Sequence, residues 1–138
     1  MAVFKDETEV YQYIGGIFED ALGDPDLGQK FAASGVILRV NYSDPDSVLT
    51  VDMPGKKVFY GEDARNGPKP VVEMSMKADV AHRFWLGEVN ITTAMAKGQV
   101  KAKGPIPKIL KLVPIAKGLF PRYREKLERE GRTDMLEA

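Results

Sequence analysis

His82 is the only histidine in this chain of 138 residues, and the chain contains no cysteine. His82 lies on a predicted helix that Asp79, three residues earlier, can cap, and it is the candidate for general acid–base chemistry. Such chemistry also needs a nucleophile or a substrate group within hydrogen-bond reach, and the sequence shows none beside His82. We therefore expect His82 to be a partly exposed structural residue, and an enzyme that uses His82 is the alternative.

Metal and nucleotide chemistry are not indicated by the sequence. A chain with one histidine and no cysteine offers too few ligands for a zinc site. It has no glycine-rich phosphate loop, no dinucleotide fingerprint and no serine-nucleophile motif. Asp24 and Asp26 flank a proline and look like helix caps rather than a catalytic pair. We predict that the protein needs neither a metal nor another cofactor.

Charge is unevenly distributed along the chain although the net charge is zero. Seven acids and no base lie between Asp6 and Asp26, whereas eight bases and no acid lie between Val89 and Arg124. The acidic segment could pack beside the basic one and neutralise it, or the basic segment could attract an anion or a membrane surface. Nucleic acid is not an expected partner, because the basic cluster lacks arginines and interleaved aromatic residues.

The spacing of apolar residues predicts the elements that must position these side chains. Recurrence every three to four residues predicts helices over 8–22, 24–33, 79–87, 90–98 and 106–119, with a kink or division of the last at Pro114. Alternation predicts strands over 36–42, 48–53, 57–60, 70–77 and 99–103, the first three as an antiparallel meander and the last at an edge. Segment 62–69 is expected to be a loop, and 123–132 a polar tail that is helical at first and then frays.

Large apolar side chains are concentrated on the short helices between positions 79 and 120. All of them could belong to a solid core. Alternatively, helices above one face of the sheet could enclose a space for an apolar ligand, with methionine as an adaptable lining. Composition alone leaves both interpretations open. The glycines at positions 15 and 16 of the first helix likewise indicate either close packing or a loose helix.

The order of the elements and a set of short motifs resemble those of the sterol carrier protein 2 family of lipid-binding domains. The motifs are an aspartate, an aromatic residue, a glycine, an alanine–methionine pair and an alternating strand bounded by glycines. They stand here as Asp79, Phe84, Gly87, Ala94-Met95 and 98–104. The resemblance covers nearly the whole chain in element order and is most specific between positions 71 and 112.

The resemblance implies an α+β fold in a single domain over 1–138, with a five-stranded, mostly antiparallel sheet covered on one face by helices. Between the two layers it implies an apolar tunnel that binds fatty acid, acyl-CoA, a sterol-like lipid or phospholipid, for holding or intracellular transfer and without catalysis. The expected lining consists of Met74, Met76, Phe84, Trp85, Met95, Ile106, Ile109, Leu110 and Val113. The expected cationic rim for a head group consists of Lys101, Lys103 and Lys108.

The sequence also suggests where the protein acts. It shows no signal peptide, no spanning segment and no peroxisomal address, so we expect a cytoplasmic protein that meets membrane surfaces transiently. A second interpretation belongs to another class of function. In it, segment 105–121 is the contact surface of a protein or membrane interaction module, and the interior is solid.

Overall fold

A five-stranded mixed sheet forms the centre of the molecule. In the computed structural model, which describes residues 2–136, the strands are Ile37–Ser43 (β1), Ser47–Asp52 (β2), Lys57–Tyr60 (β3), Val72–Lys77 (β4) and Val100–Lys103 (β5). Their order in the sheet is β3-β2-β1-β4-β5. Neighbouring strands are antiparallel except β1 and β4, which run parallel. The predicted α+β class, the meander of the first three strands and the edge position of β5 are confirmed.

Helices account for most of the remaining chain. They are Glu7–Val10 (α1), Gly16–Gly23 (α2), Leu27–Ala33 (α3), Gly61–Arg65 (α4), Ala78–Trp85 (α5), Ile91–Ala96 (α6), Ile106–Lys117 (α7), Phe120–Arg129 (α8) and Thr133–Leu136 (α9). A π-helical turn, Tyr11–Gly15, joins α1 to α2, so the predicted first helix is continuous but not α-helical throughout. Except for α4, these helices share one hydrophobic core with the apolar face of the sheet.

The register of the strands decides which side chains face that core. Val40 lies between Leu49 of β2 and Met74 of β4, and all three are buried. Because side chains alternate along a strand, the neighbours of these residues point to the other face of the sheet. That face is polar: the Asn41 side-chain amide donates to Glu73 Oε2 at 2.8 Å.

The opposite face of β2 is covered by α4, which lies in the segment that the sequence predicted to be a loop. The prediction is wrong for 62–65 and correct for 66–69, which are not helical. The hydroxyl of Thr50 donates to the carbonyl of Ala64 at 2.8 Å, and Arg39 Nε donates to Thr50 Oγ1 at 3.1 Å. These bonds hold α4 against the sheet and bury β2 on both faces. A helix of five residues is too short to show a periodic pattern of apolar residues. Because α4 is held by a hydroxyl of another segment, its own sequence does not reveal it.

The side chains of Tyr60 and Lys126 pack closely against the backbone of the first helices, at Gly15 and Gly16 respectively. A β-carbon at Gly15 would collide with the ring of Tyr60, and one at Gly16 would collide with the ammonium group of Lys126. Of the two alternatives that the glycines left open, close packing is therefore correct.

The last predicted helix is not divided at Pro114. Pro114 cannot donate to the carbonyl of Leu110, but both residues lie on the exposed side of α7, where water can serve that carbonyl. The helix continues to Lys117 and ends at Gly118, before α8 begins.

The segment after Tyr123 begins as a helix, as predicted, but it does not fray, so that part of the prediction is wrong. Tyr123 and Leu127 of α8 are fully buried, and Met135 of α9 is 1% exposed. Tyr123 and Leu127 are four residues apart in one helix and so share a face, between charged residues that remain in water. Arg132 Nη1 also forms an ion pair with Glu9 Oε2 at 2.6 Å, which connects this segment to α1.

Candidate functional site

An apolar cavity of about 80 Å³ lies between the sheet and helices α5, α6 and α7. Its floor consists of side chains from the helix-facing side of the sheet and from the turn after β2: Leu38, Val40, Tyr42, Met53, Met74 and Met76. Its roof consists of side chains from the helices: Phe18, Ala81, Phe84, Trp85, Ile91, Ile109, Leu112, Val113 and Ala116. In this lining, only Tyr42 and Trp85 carry an O–H or N–H group. The walls are therefore suited to hydrocarbon.

Six of the nine residues expected in a lining lie at this cavity. They are Met74, Met76, Phe84, Trp85, Ile109 and Val113. The structure does not place Met95, Ile106 or Leu110 there. Met95 and Ile106 are partly buried and pack on the core, whereas Leu110 is 40% exposed on the outer side of α7.

The sequence did not single out the strand residues Leu38, Val40, Tyr42 and Met53 as lining, although their alternation was visible. Alternation identifies a buried face of a strand. Whether that face meets a cavity or a solid core depends on how closely the helices approach the sheet, and that approach is set by tertiary packing.

The three lysines expected at a rim do not border the cavity. Ala102 of β5 pairs with Met74, so Ala102 shares the helix-facing side of the sheet. Lys101 and Lys103 therefore point to the opposite side, where Lys103 lies across from Glu73. Lys108 is exposed on α7. The sheet thus separates two of these lysines from the space that they were expected to serve.

A wider and more polar cleft, of about 560 Å³, lies outside the cavity. Phe84, Ile91 and Val113 line both spaces, so these three side chains form the partition between them. The residues that line only the cleft include charged and polar side chains together with apolar ones: Glu88, Asn90, Thr92, Leu110, Pro114, Lys117 and Phe120. The cavity and the cleft are together suited to a molecule that has one apolar and one polar end.

An aromatic cluster stabilises the partition. The ring of Phe84 meets Trp85 at 5.2 Å and Phe120 at 5.3 Å between centroids, both edge to face. Trp85 in turn packs edge to face on Phe18, in the geometry that aromatic quadrupoles favour. Gly87 has a φ of 84°, and a β-carbon there would lie 3.2 Å from the Phe120 ring. This glycine allows Phe120 to pack against the end of α5.

His82 is fully buried, so the expectation of a partly exposed histidine is wrong. Its Nε2 lies 2.6 Å from the carbonyl oxygen of Met135, and its Nδ1 lies 2.8 Å from the hydroxyl of Tyr123. A carbonyl can only accept, so Nε2 carries the hydrogen and Tyr123 donates to Nδ1. Desolvation lowers the pKa of His82, and the imidazole is neutral in the folded protein. Both ring nitrogens of His82 form hydrogen bonds within the protein, and the side chain does not border the cavity.

Asp79 was expected to cap the helix that contains His82, and this prediction is wrong. Its Oδ1 accepts from the backbone N–H of Val3 at 2.8 Å, and it does not cap α5, which begins at Ala78. Among residues 2–136, no group of three or more histidines or acidic side chains is arranged to hold a metal ion. No helix within the same residues is both long and apolar enough to cross a membrane.

Comparison with known proteins gives a family match over most of the chain. Residues 18–117 match the family model described as the SCP-2 sterol transfer family. No curated protein matches the chain.

Known structures of sterol carrier proteins share the fold. Sterol carrier protein 2 from Yarrowia lipolytica, in its apo form, superimposes with a TM-score of 0.64 at 20% identity, over 85% of this chain and 96% of that one. Domain 2 of the sterol carrier protein of Helicoverpa armigera gives a TM-score of 0.66 at 18% identity, over 88% and 95% of the chains. Sterol carrier protein 2 of Aedes aegypti, in complex with palmitate, gives 0.53 at 16% identity, over 80% and 94%.

Proposed function

Because this chain belongs to the SCP-2 sterol transfer family, we propose that it binds one lipid molecule and leaves it chemically unchanged. The apolar part of the lipid occupies the inner cavity, and its polar end lies in the outer cleft. The observation that supports this proposal most directly is the partition of Phe84, Ile91 and Val113, which separates an apolar cavity from a polar cleft.

The energy of binding comes from removal of hydrocarbon from water. Each buried methylene contributes roughly 0.8 kcal/mol. About ten buried methylenes would thus contribute roughly 8 kcal/mol, which corresponds to a micromolar Kd before the cost of association is subtracted. No reactive group is needed for this function.

The cavity must enlarge to accept a whole lipid. At about 80 Å³ it is smaller than the apolar cavity of roughly 150 Å³ that admits benzene in an engineered protein. Met74 and Met76 on its floor are unbranched and can change conformation at low cost. We propose that the partition moves away from these methionines as the apolar chain enters from the cleft.

The head group is proposed to contact Lys117 rather than the three lysines of the expected rim. Lys117 is the only cationic side chain that lines the described cleft, where Asn90 and Thr92 supply hydrogen-bonding groups. A cation beside polar side chains is suited to a carboxylate or a phosphate. Fatty acid, acyl-CoA and phospholipid carry such a group. A sterol-like lipid would use the hydrogen-bonding groups alone.

The function is tested by asking what the protein carries. Native mass spectrometry after mild purification is expected to show one lipid per chain, and the delipidated protein is expected to bind palmitate with a micromolar Kd. A spectrum of the bare chain alone, together with no palmitate binding, would rule the proposal out.

A second candidate function concerns the exposed side of α7, within the segment 105–121. Leu110 is one of two large apolar residues that are strongly exposed in residues 2–136. Its neighbours on this side are Lys111, Pro114 and Lys117, all exposed. An apolar centre beside lysines is suited to an anionic lipid surface, to which each lysine contributes about 1 kcal/mol. We propose that this face contacts membranes while the lipid enters or leaves the adjacent cleft.

Sedimentation with phosphatidylserine vesicles tests this second function. We expect Lys111→Glu to reduce vesicle binding about tenfold, while Lys101→Glu, on the polar side of the sheet, changes it less. Equal losses in the two variants would show that net charge, and not this face, is responsible.

A further inference from the structure

Tyr42 brings a hydroxyl group to an otherwise apolar cavity. It lies on β1, lines the cavity floor, and is 6% exposed. Within the part of the chain that the structure describes, its hydroxyl makes no hydrogen bond, and desolvation alone raises its pKa. Among the same residues, every side-chain oxygen or nitrogen that is fully buried has a hydrogen-bond partner. Tyr42 lines the cavity, and its hydroxyl is not paired with another described residue, so a molecule that fills the cavity can serve as its partner.

The other four tyrosines show that this is an exception. The hydroxyl of Tyr123 donates to His82, and that of Tyr13 accepts from Arg132 Nη1 at 3.4 Å. The hydroxyl of Tyr11 accepts from the backbone of Val48 at 3.3 Å. Desolvation raises the pKa of Tyr60, and hydrogen bonding to the Glu19 carboxylate raises it further. Tyr42 is the one tyrosine whose hydroxyl forms no hydrogen bond with a described residue.

A buried hydroxyl without a partner is costly, and native proteins rarely tolerate one without a reason. Phenylalanine would fill the same place in an apolar wall at no such cost. The simplest role for the tyrosine is therefore to serve something that enters the cavity.

We infer that the Tyr42 hydroxyl hydrogen-bonds an oxygen at the inner end of the bound lipid. The site then favours apolar molecules that carry a hydroxyl or carbonyl oxygen at the end that enters first, over hydrocarbon of the same length. This inference rests on the proposed function, because it assumes that a lipid occupies the cavity.

Two fatty acids of equal length make a matched pair for the test. ω-Hydroxyhexadecanoic acid and heptadecanoic acid differ only in a terminal hydroxyl or methyl group. A cavity with no polar partner would bind the methyl compound roughly ten- to a hundredfold more tightly, because an unpaired hydroxyl loses its bonds to water. We expect the wild-type protein to bind the hydroxy acid at least as tightly as the methyl compound.

Tyr42→Phe should weaken binding of the hydroxy acid about tenfold and leave binding of heptadecanoic acid unchanged. Tyr60→Phe, on the neighbouring part of the sheet but outside the cavity lining, should change neither. Because Tyr42 has no bond to lose and its unpaired hydroxyl is costly, we expect Tyr42→Phe to unfold at or above the wild-type temperature.

The outcomes separate the two levels of the proposal. If the wild-type protein prefers the methyl compound tenfold or more, or if Tyr42→Phe affects both acids equally, the role of Tyr42 is overturned while lipid binding stands. If the wild-type protein binds neither acid, the proposed function fails, and the inference fails with it.

Discussion

The hydroxyl of Tyr123 donates a 2.8 Å hydrogen bond to Nδ1 of His82, and neither side chain is exposed to solvent. Nε2 of the same imidazole donates to the carbonyl of Met135 in α9. The chain's only histidine therefore joins α5 to the two C-terminal helices. This arrangement explains why an ionisable residue is buried away from the cavity. His82 links three helices, and both of its ring nitrogens are hydrogen-bonded.

Removal of the Tyr123 hydroxyl should destabilise the protein. In Tyr123→Phe, Nδ1 of His82 keeps its lone pair but loses its donor, and a buried group left unsatisfied costs about 1–3 kcal/mol. We expect the free energy of unfolding in urea to fall by that amount. Tyr42→Phe removes a hydroxyl from an equally buried tyrosine that has no such bond, so it is the control. Equal stability of the two variants would contradict the role given to Tyr123.

Stability should fall as pH falls below neutrality. Desolvation lowers the pKa of His82 below its ordinary value, and Arg83 acts in the same direction, while Met135, Asp79 and Glu88 oppose it. The unfolded chain therefore takes up a proton at a higher pH than the folded chain. The stabilisation is complete above the unfolded pKa of about 6.5 and is lost from there downward, by at most about 1.4 kcal/mol per pH unit.

Urea unfolding at a series of pH values measures this slope. His82 is the only histidine, so His82→Gln should flatten the dependence between about pH 7 and pH 5. A slope of the wild-type size in this variant would assign the effect to other groups.

A larger side chain in the cavity should block lipid binding. Val113 lies in the partition, and Val113→Phe fills space that the lipid needs, at a cost in stability of about 1–3 kcal/mol from overpacking. We expect the Kd for palmitate to rise at least tenfold. Val71→Phe, at an exposed apolar residue that borders neither the cavity nor the cleft, should leave the Kd within about twofold. Unchanged binding by the Val113 variant would place the lipid elsewhere.

Gly87 and Gly98 offer a matched pair for the aromatic cluster. Both have positive φ, 84° and 77°, so alanine is strained at either position. A β-carbon meets nothing within 4 Å at Gly98 but meets the Phe120 ring at Gly87. We expect Gly87→Ala to destabilise the protein by about 1–2 kcal/mol more than Gly98→Ala, because overpacking adds to the backbone strain. Equal losses, measured by thermal unfolding, would show that Phe120 can move aside freely.

Lys117 should contribute to the affinity for anionic lipids. Lys117→Gln removes the cation from the cleft, and we expect a three- to tenfold weaker affinity for palmitate, because an exposed ion pair contributes about 1 kcal/mol. The affinity for the uncharged alcohol of the same length should not change. Lys101→Gln, behind the sheet, serves as the control. A larger effect at Lys101 would restore the rim that was expected from the sequence.

The residues of the C-terminal half show where sequence reasoning succeeds and where it fails. The strand of Val100 and Ala102 was predicted correctly, because alternation is a property of the extended backbone itself. The same pattern could not show that Lys101 and Lys103 face away from the cavity, because that depends on which face of β4 lies beneath the helices. In α7 the helical spacing of apolar residues was recognised, but only packing on the sheet decided that Ile109 is buried and Leu110 exposed.

The sequence by itself determined the family, the α+β class, the order of the strands along the chain and four of the nine helix residues at the cavity. These follow from local periodicity and from motifs that are close together in the chain. Only the tertiary structure decided that His82 is buried, that the C-terminal segment is part of the core, and that Tyr42 borders the cavity. Each of these depends on contacts between residues far apart in sequence, and such contacts leave no periodic trace in the segments that make them.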